Sequence, residues 1–368
     1  MIKEGKIGVK EATWLIVITS TSKVFYTSPS MLANIVGNTG WYLTIISCAV
    51  AIFLFVFVIK LLKMFEGKDL VEVYNVSLGH FTGFIFSLIT GLFLLFLSVV
   101  YITEFHEVIR VYVFPLSPDW YVIGIFVICV FILSLKGLEA IARLSKLIIY
   151  VLLAGFVVIL LMGTQNYNIN NLFPILGHGF DKTLLHGIIR SSAYGEVIVL
   201  AVFAKSMHNT ANIKKVGINS LLISGLIVAI SIFAFTLTFP YHTAKNITSP
   251  MYEMSTLIDY GRFIQRVEPV FLFIWVISSL ISGSVLFYSF VRIYCTVFKI
   301  MDKRPIIITG SIILFSSSFL HKDITTVIFG SVQITRKYGS IPVFIFPLIA
   351  LIIASIREKG KRANAKIE

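Results

Sequence analysis

Long apolar runs alternate with short polar stretches rich in lysine and arginine along this whole chain. A helix that crosses a bilayer needs about 20 mainly apolar residues. Ten runs come near that length, at roughly residues 12–36, 41–62, 81–103, 119–135, 144–163, 184–205, 216–239, 268–295, 304–320 and 338–356. The pattern predicts an all-α integral membrane protein with ten transmembrane helices, in a single transmembrane domain over residues 1–368. Two runs depart from it. The first is interrupted by Thr19-Ser20-Thr21-Ser22-Lys23, and the sixth by Arg190-Ser191-Ser192-Ala193-Tyr194-Gly195-Glu196.

Irregular backbone at membrane depth survives only where it is buried in protein or lines a cavity. Paired interruptions at corresponding places in two halves point to an inverted-repeat transporter fold with its binding site near the bilayer midplane. The expected architecture is a LeuT-like 5+5 inverted repeat with broken helices 1 and 6. Residues 1–163 form the first five-helix repeat, 184–356 the second, and 357–368 a basic cytoplasmic tail. Span count, topology and the matching breaks carry this expectation; the two halves show no readable identity.

Composition narrows the class further. Hydrophobic residues make up 57% of the chain and charged residues 13%, with a mean hydropathy of +0.92, where a soluble domain carries about a quarter charged residues. The net charge of +13 does not imply nucleic acid, because the cations cluster between apolar runs. Twenty of them share one face: Lys3, Lys6, Lys10, Lys60, Lys63, Lys68, Lys136, Arg143, Lys146, Lys205, Lys214, Lys215, Lys299, Lys303, Arg304 and the five in the tail. The opposite loops hold Arg110, Lys182, Lys245, Arg262, Arg266, Lys322, Arg336 and Lys337. The excess of lysine and arginine marks the cytoplasmic side, so both termini are expected in the cytoplasm and membrane lipid is the surrounding partner. The first eleven residues are too polar for a signal peptide, so the first span is expected to direct insertion. Cys48, Cys129 and Cys295 all lie inside apolar runs, which offers neither a disulfide framework nor a metal site.

Two outer segments are richer than spacers. Residues 164–183 concentrate Asn166, Asn168, Asn170, Asn171, Pro174, Gly177 and Gly179, a turn-forming density that predicts a folded cap. Residues 240–267 are expected to hold a short amphipathic helix around Tyr252 to Arg262.

The candidate chemistry sits at the two breaks. Lys23 falls about twelve residues into the first run, and a lysine at a helix centre costs about 2.5–3.5 kcal/mol on insertion scales. It snorkels to an interface, meets a ligand carboxylate, or pairs with Glu196 at the other break. Exposed helix N-termini attract carboxylates and carbonyl ends attract ammonium groups, so a zwitterionic amino acid suits two unwound spans lying side by side. Glu196 can then face the ligand's amine, pair with Lys23, or exchange protons as a desolvated carboxyl. The candidate ligand-binding set is Thr21, Ser22, Lys23 and Val24 on the first break with Ser191, Ser192, Tyr194, Gly195 and Glu196 on the second. Tyr101 on the third span joins it, as do Ser278 and Ser282 on a small-residue stripe of the eighth, where close helix packing is the competing role. Glu104, His106, Glu107 and Arg110 at the end of the third span read as a solvated vestibule or as local ion pairs. No phosphate loop, zinc spacing or nucleophile–base–acid set appears, so neither an enzyme nor a cofactor is expected.

Asn170-Asn171-Leu172-Phe173-Pro174-Ile175-Leu176-Gly177-His178-Gly179 resembles the outer "NNLxPxLGxG" segment of the spore germinant-receptor B subunits, the spore-permease family. The Gly195-Glu196 step followed by Lys214-Lys215, the pair Glu107 and Arg110, and Arg266-Val267-Glu268 leading to Trp275 are similar to the same family, in the same order. The resemblance covers essentially the whole chain. It implies a member of the amino acid–polyamine–organocation superfamily in the inner membrane of bacterial spores. It also implies a hetero-oligomer with an A subunit and a lipoprotein C subunit, and a germinant such as an amino acid as small-molecule ligand. On that reading the chain is a germinant receptor subunit whose occupied helix 1/helix 6 site signals germination. The alternative is a proton-coupled amino-acid secondary transporter, and a passive scaffold is the third reading. One departure stands out. Where many relatives carry Gly-x-Gly in span one, this chain has Ser22-Lys23-Val24 before Pro29, which points to a different or negatively charged ligand.

Overall fold

The computed structural model describes residues 5–26, 28–207, 209–261, 267–320 and 327–364, and every regular element among them is helical. Arg262, Arg266, Lys322, Lys3 and Lys366 lie outside the described residues. The chain begins with α1 (Val9–Thr21), α2 (Ser28–Val36) and α3 (Gly40–Met64). A short helix, α4 (Leu70–Leu78), precedes the long α5 (His80–Tyr112). Next come α6 (Asp119–Lys136), α7 (Leu138–Met162), α8 (Phe180–Ile189) and α9 (Val199–Val202). Then follow α10 (Thr210–Thr238), two short helices α11 (Tyr241–Ala244) and α12 (Pro250–Thr256), α13 (Glu268–Val297) and α14 (Arg304–Ser317). The chain closes with α15 (Gln333–Tyr338) and α16 (Phe346–Asn364).

Eight helical segments among the described residues are long and apolar enough to cross a membrane. They are Ser28–Met64, His80–Tyr112, Asp119–Lys136, Leu138–Asn166, Phe180–Val202, Thr210–Thr238, Glu268–Val297 and Gly330–Glu358. The differences from the expected boundaries have local causes. The run at 12–36 divides because the α-helix stops at Thr21, and α2 instead continues into α3 through a single tight turn at Gly37–Thr39. The run at 304–320 yields α14, 14 residues long, and the last run starts earlier than 338, at Gly330.

Burial sorts the helices into centre and rim. The most apolar windows of α5 and α13 are 61% and 67% buried, against 28% for α6 and α7, so the first two form the centre while α6 and α7 turn Ile128, Ile132, Leu147 and Val151 outward. α13 packs along α5, α10 along α3, and α1 is held between α10, α7 and α13. Hydroxyls in these buried helices mostly return to their own backbone, as Ser87 does to Gly83 and Ser289 to Val285, which satisfies them inside an apolar interior.

Polar devices fix the ends. The Asp69 carboxylate accepts from Glu72 N at the start of α4, Glu72 accepts in return from Asp69 N, and Arg292 of α13 reaches Asp69 at 3.1 Å. At the opposite end, residues 163–179 form an ordered cap. Asn171 donates to the Leu237 carbonyl, Asn38 donates to the Phe173 carbonyl, and His178 sits between Ile35 O and Tyr241 OH. Gly177 makes the fit possible: its φ is +51°, and a Cβ there would lie 2.2 Å from the Val36 carbonyl oxygen. Left-handed backbone costs an L-residue about 1–2 kcal/mol and the contact with backbone adds to it, so Gly177→Ala is expected to lower the unfolding temperature and expose the cap to proteolysis first. A variant with unchanged protease sensitivity at residues 163–179 contradicts that role. In the second outer segment the helix runs from Pro250 to Thr256, earlier than the expected Tyr252–Arg262, with proline in its first turn, where its missing N–H costs no helical bond.

Candidate functional site

Hydroxyls cluster at the first interruption. Thr19 donates to Leu15 O (2.7 Å), Thr21 to Val17 O (2.8 Å) and Ser22 to Thr19 O (3.0 Å). These bonds satisfy the hydroxyls at the end of α1 without drawing on its neighbours. Ser22–Phe25 then tighten into a 3₁₀ turn, Tyr26 is extended, and α2 starts at Ser28 with Pro29 next. The second interruption is longer. Arg190–Ile198 form a 3₁₀ stretch in which Tyr194 leaves helical geometry at φ −113°, ψ 18°. Short 3₁₀ pieces inside a helix are poorly bonded and recur at hinges.

The two interruptions meet through charge. Lys23 Nζ lies 3.2 Å from Glu196 Oε2 and 3.4 Å from Oε1, and the two side chains are 4% and 1% exposed. The Tyr101 hydroxyl from α5 stands 3.2 Å from both Glu196 Oε1 and the Thr19 carbonyl oxygen, so it ties the pair to the end of α1. The ammonium also sits 4.8 Å from the centre of the Tyr194 ring, a cation–π geometry. Arg336 of α15 approaches Glu196 Oε1 at 4.0 Å. Beside this group lies a cavity of about 30 Å³, lined among others by Lys23, Thr44, Ser47, Arg190, Tyr194 and Arg336. That leaves room for only one or a few water molecules, too little for an amino acid.

The other candidates divide. Ser282 Oγ lies 3.1 Å from Ser22 Oγ and 2.7 Å from the Ser278 carbonyl, so α13 touches the first break directly. Ser278 bonds back to Ile274 O in its own helix and shares a void of about 20 Å³ with Thr21. Val24 is buried in the apolar core. Ser191 and Ser192 turn away from Lys23, to Ser340 Oγ (3.2 Å) and the Arg336 carbonyl (2.6 Å). Gly195 lets Val343 pack close, since a Cβ would meet its methyl groups at 3.3 Å. Glu104, His106 and Glu107 form no solvated vestibule: all three are buried within α5. Arg110 reaches Glu107 at 2.7 Å, and His106 reaches Asp119 at 3.1 Å.

Arg336 was expected in an outer loop, and the structure buries it against the second break instead. The signal is a polar stripe. Gln333, Arg336 and Ser340 are spaced i, i+3, i+7, one face of a helix. All three engage the second break, Gln333 by accepting from Arg190 at 3.1 Å. An aromatic group supports the first break from outside: Tyr26 donates to Ser279 Oγ at 2.6 Å and packs edge-on to Tyr101 and Trp275, and Phe105 and Phe271 also flank Trp275.

Comparison with known proteins bears on this arrangement. The family described as "Spore germination protein" matches residues 6–327. Spore germination protein KB of Bacillus subtilis (strain 168) is 23% identical over 99% of this chain and 100% of its own length. Spore germination protein YndE of the same organism is 21% identical over 97% of this chain and 99% of its own. Spore germination protein A2, again from that strain, is 22% identical over 83% and 85%. Among solved structures, MHP1, a nucleobase-cation-symport-1 family transporter in a closed conformation with bromovinylhydantoin bound, superposes with a TM-score of 0.63. It does so at 13% identity, over 89% of this chain and 75% of MHP1. The helical arrangement is therefore that of a LeuT-like transporter.

Proposed function

The chain belongs to the spore germination protein family, and from that premise we propose that it is a membrane-embedded germinant receptor subunit of the B type. It binds a small molecule such as an amino acid where the two interruptions meet, and its A and C partner subunits read the resulting change of conformation. It lies in the inner membrane of the spore with both termini in the cytoplasm. With Ser28–Met64 divided at the Gly37–Thr39 turn, α1 and α2 make the first span and α3 the second, and α14 completes ten spans in a 5+5 inverted repeat, residues 1–163 and 184–356.

The observation that carries this reading is the Lys23–Glu196 contact across the two breaks, 3.2 Å long and beside a cavity of about 30 Å³. An amino acid does not fit that volume, so occupancy requires the breaks to separate. A ligand shifts an equilibrium only by its differential affinity for the two states. Here the difference has a source: the ligand's carboxylate replaces Glu196 at Lys23, and its amine replaces Lys23 at Glu196.

Lys23→Ala is expected to abolish the nutrient response of spores carrying the chain while membrane insertion remains intact. An unchanged response sinks the ligand-anchor role. The second reading, proton-coupled amino-acid transport through Glu196, draws on the transporter-like fold. Flux of a labelled amino acid into proteoliposomes, driven by a pH gradient and lost in Glu196→Gln, favours that reading over the receptor.

A further inference from the structure

The charge around the small cavity is unbalanced. Lys23, Arg190 and Arg336 are buried there, at 4%, 7% and 6% exposure, and all three line the cavity. Glu196 is the one carboxylate within 4.0 Å of any of them among the described residues. It is shared between Lys23 and Arg336, at 3.2 Å and 4.0 Å. Arg190 makes its polar contact to the neutral amide of Gln333 at 3.1 Å, and its other terminal nitrogen lies against the Met31 sulfur. Another buried carboxylate, Glu104, lies one turn past Tyr101 on α5. Buried charges are retained at a cost unless they are paired, and planar guanidinium groups match carboxylates with two parallel hydrogen bonds.

We propose that the site takes an amino acid bearing a second acid group, with net negative charge, and that Arg190 and Arg336 hold the side-chain carboxylate. This rests on the ligand site proposed above and names its ligand class. Lys23 and Glu196 serve the α-carboxylate and the amine, and they neutralise each other whether or not ligand is present. Arg190 has no carboxylate in reach and Arg336 has only a share of Glu196 at 4.0 Å, so three buried cations face one buried carboxylate and a net-neutral ligand leaves that excess unmatched. Both arginines belong to the polar contacts between the second break and the last membrane segment, Gly330–Glu358, so an acid bound between them bridges the two elements.

The test compares L-aspartate with L-asparagine, which differ by one charge at nearly equal shape. The purified full-length chain is titrated with each, and the rise in unfolding temperature gives an affinity. Aspartate is expected to bind at least about tenfold tighter, the effect of 1.4 kcal/mol. Arg190→Gln and Arg336→Gln should each erase that preference. Should a glutamine variant fail to fold, Arg190→Lys and Arg336→Lys keep the charge but lose the planar fork, and they should reduce the preference without abolishing it. Equal or tighter binding of asparagine or L-alanine overturns the acidic-ligand inference and leaves the proposed site standing. Absence of a shift with all three compounds, whose carboxylate and amine the site is proposed to recognise, counts against both.

Discussion

Glu196→Gln is expected to destabilise the folded chain by about 3–5 kcal/mol, the usual cost of leaving a buried charge without its partner, and by more than Lys23→Met. The asymmetry follows from the surroundings. Without Lys23, Glu196 still accepts from the Tyr101 hydroxyl at 3.2 Å and has Arg336 at 4.0 Å. Without Glu196, Lys23, Arg190 and Arg336 line one small cavity with no described carboxylate in pairing distance. Lys23→Met combined with Glu196→Gln removes one of those cations, so the double variant should unfold at a higher temperature than Glu196→Gln alone. Unfolding temperatures in one detergent, with all three variants side by side, check the order. A Lys23→Met variant less stable than Glu196→Gln, or a double variant no better than its worse parent, contradicts this charge arrangement.

Trp275→Ala carries the second large effect. Trp275 is fully buried on α13, with Phe105 at 4.8 Å, Tyr26 at 5.8 Å and Phe271 at 6.0 Å between ring centres. Truncating a core tryptophan in soluble proteins costs about 3–5 kcal/mol, as a transfer term plus a cavity term. In a bilayer the transfer term shrinks, because lipid is as apolar as the protein interior, while the cavity term remains. The expected loss is therefore near the lower end, about 3 kcal/mol. Trp275→Phe keeps a ring against Phe105 and should recover more than half of it. The consequence reaches the site, since Tyr26 follows the first 3₁₀ turn and is held by Trp275 and by Ser279. The alanine variant should thus lose ligand-dependent stabilisation even at temperatures where it stays folded. Intact stabilisation by ligand in that variant refutes the support role.

The sequence pattern reveals some levels of this structure and hides others. Apolar run length finds the membrane segments because lipid imposes a minimum length of satisfied backbone. The breaks are legible for the same reason, since Ser22-Lys23 and Tyr194-Gly195-Glu196 have no place in lipid-facing helix. Run length cannot say where α-geometry lapses: it joins Val9–Thr21 to Ser28–Val36, while the backbone joins Ser28–Val36 to Gly40–Met64. It also misplaces charged residues at segment ends. Arg336 and Lys337 are adjacent and look alike as loop cations, yet helical phase turns Arg336 toward Glu196 and leaves Lys337 exposed. Glu104, His106, Glu107 and Arg110 read as a solvated vestibule or local ion pairs, and the second holds: α5 runs on to Tyr112 and buries the first three, while Arg110 pairs with Glu107. Ser191 and Ser192 share a break with Glu196 but point elsewhere, because neighbours in a 3₁₀ stretch project about 120° apart.

A structure of the purified chain determined with the compound that stabilises it most tests the central claim directly. The compound is expected between the two interruptions, bounded by Lys23, Tyr194 and Glu196, with Lys23 and Glu196 farther apart than their present 3.2 Å. A compound bound elsewhere, with that contact unbroken and the cavity still near 30 Å³, contradicts it.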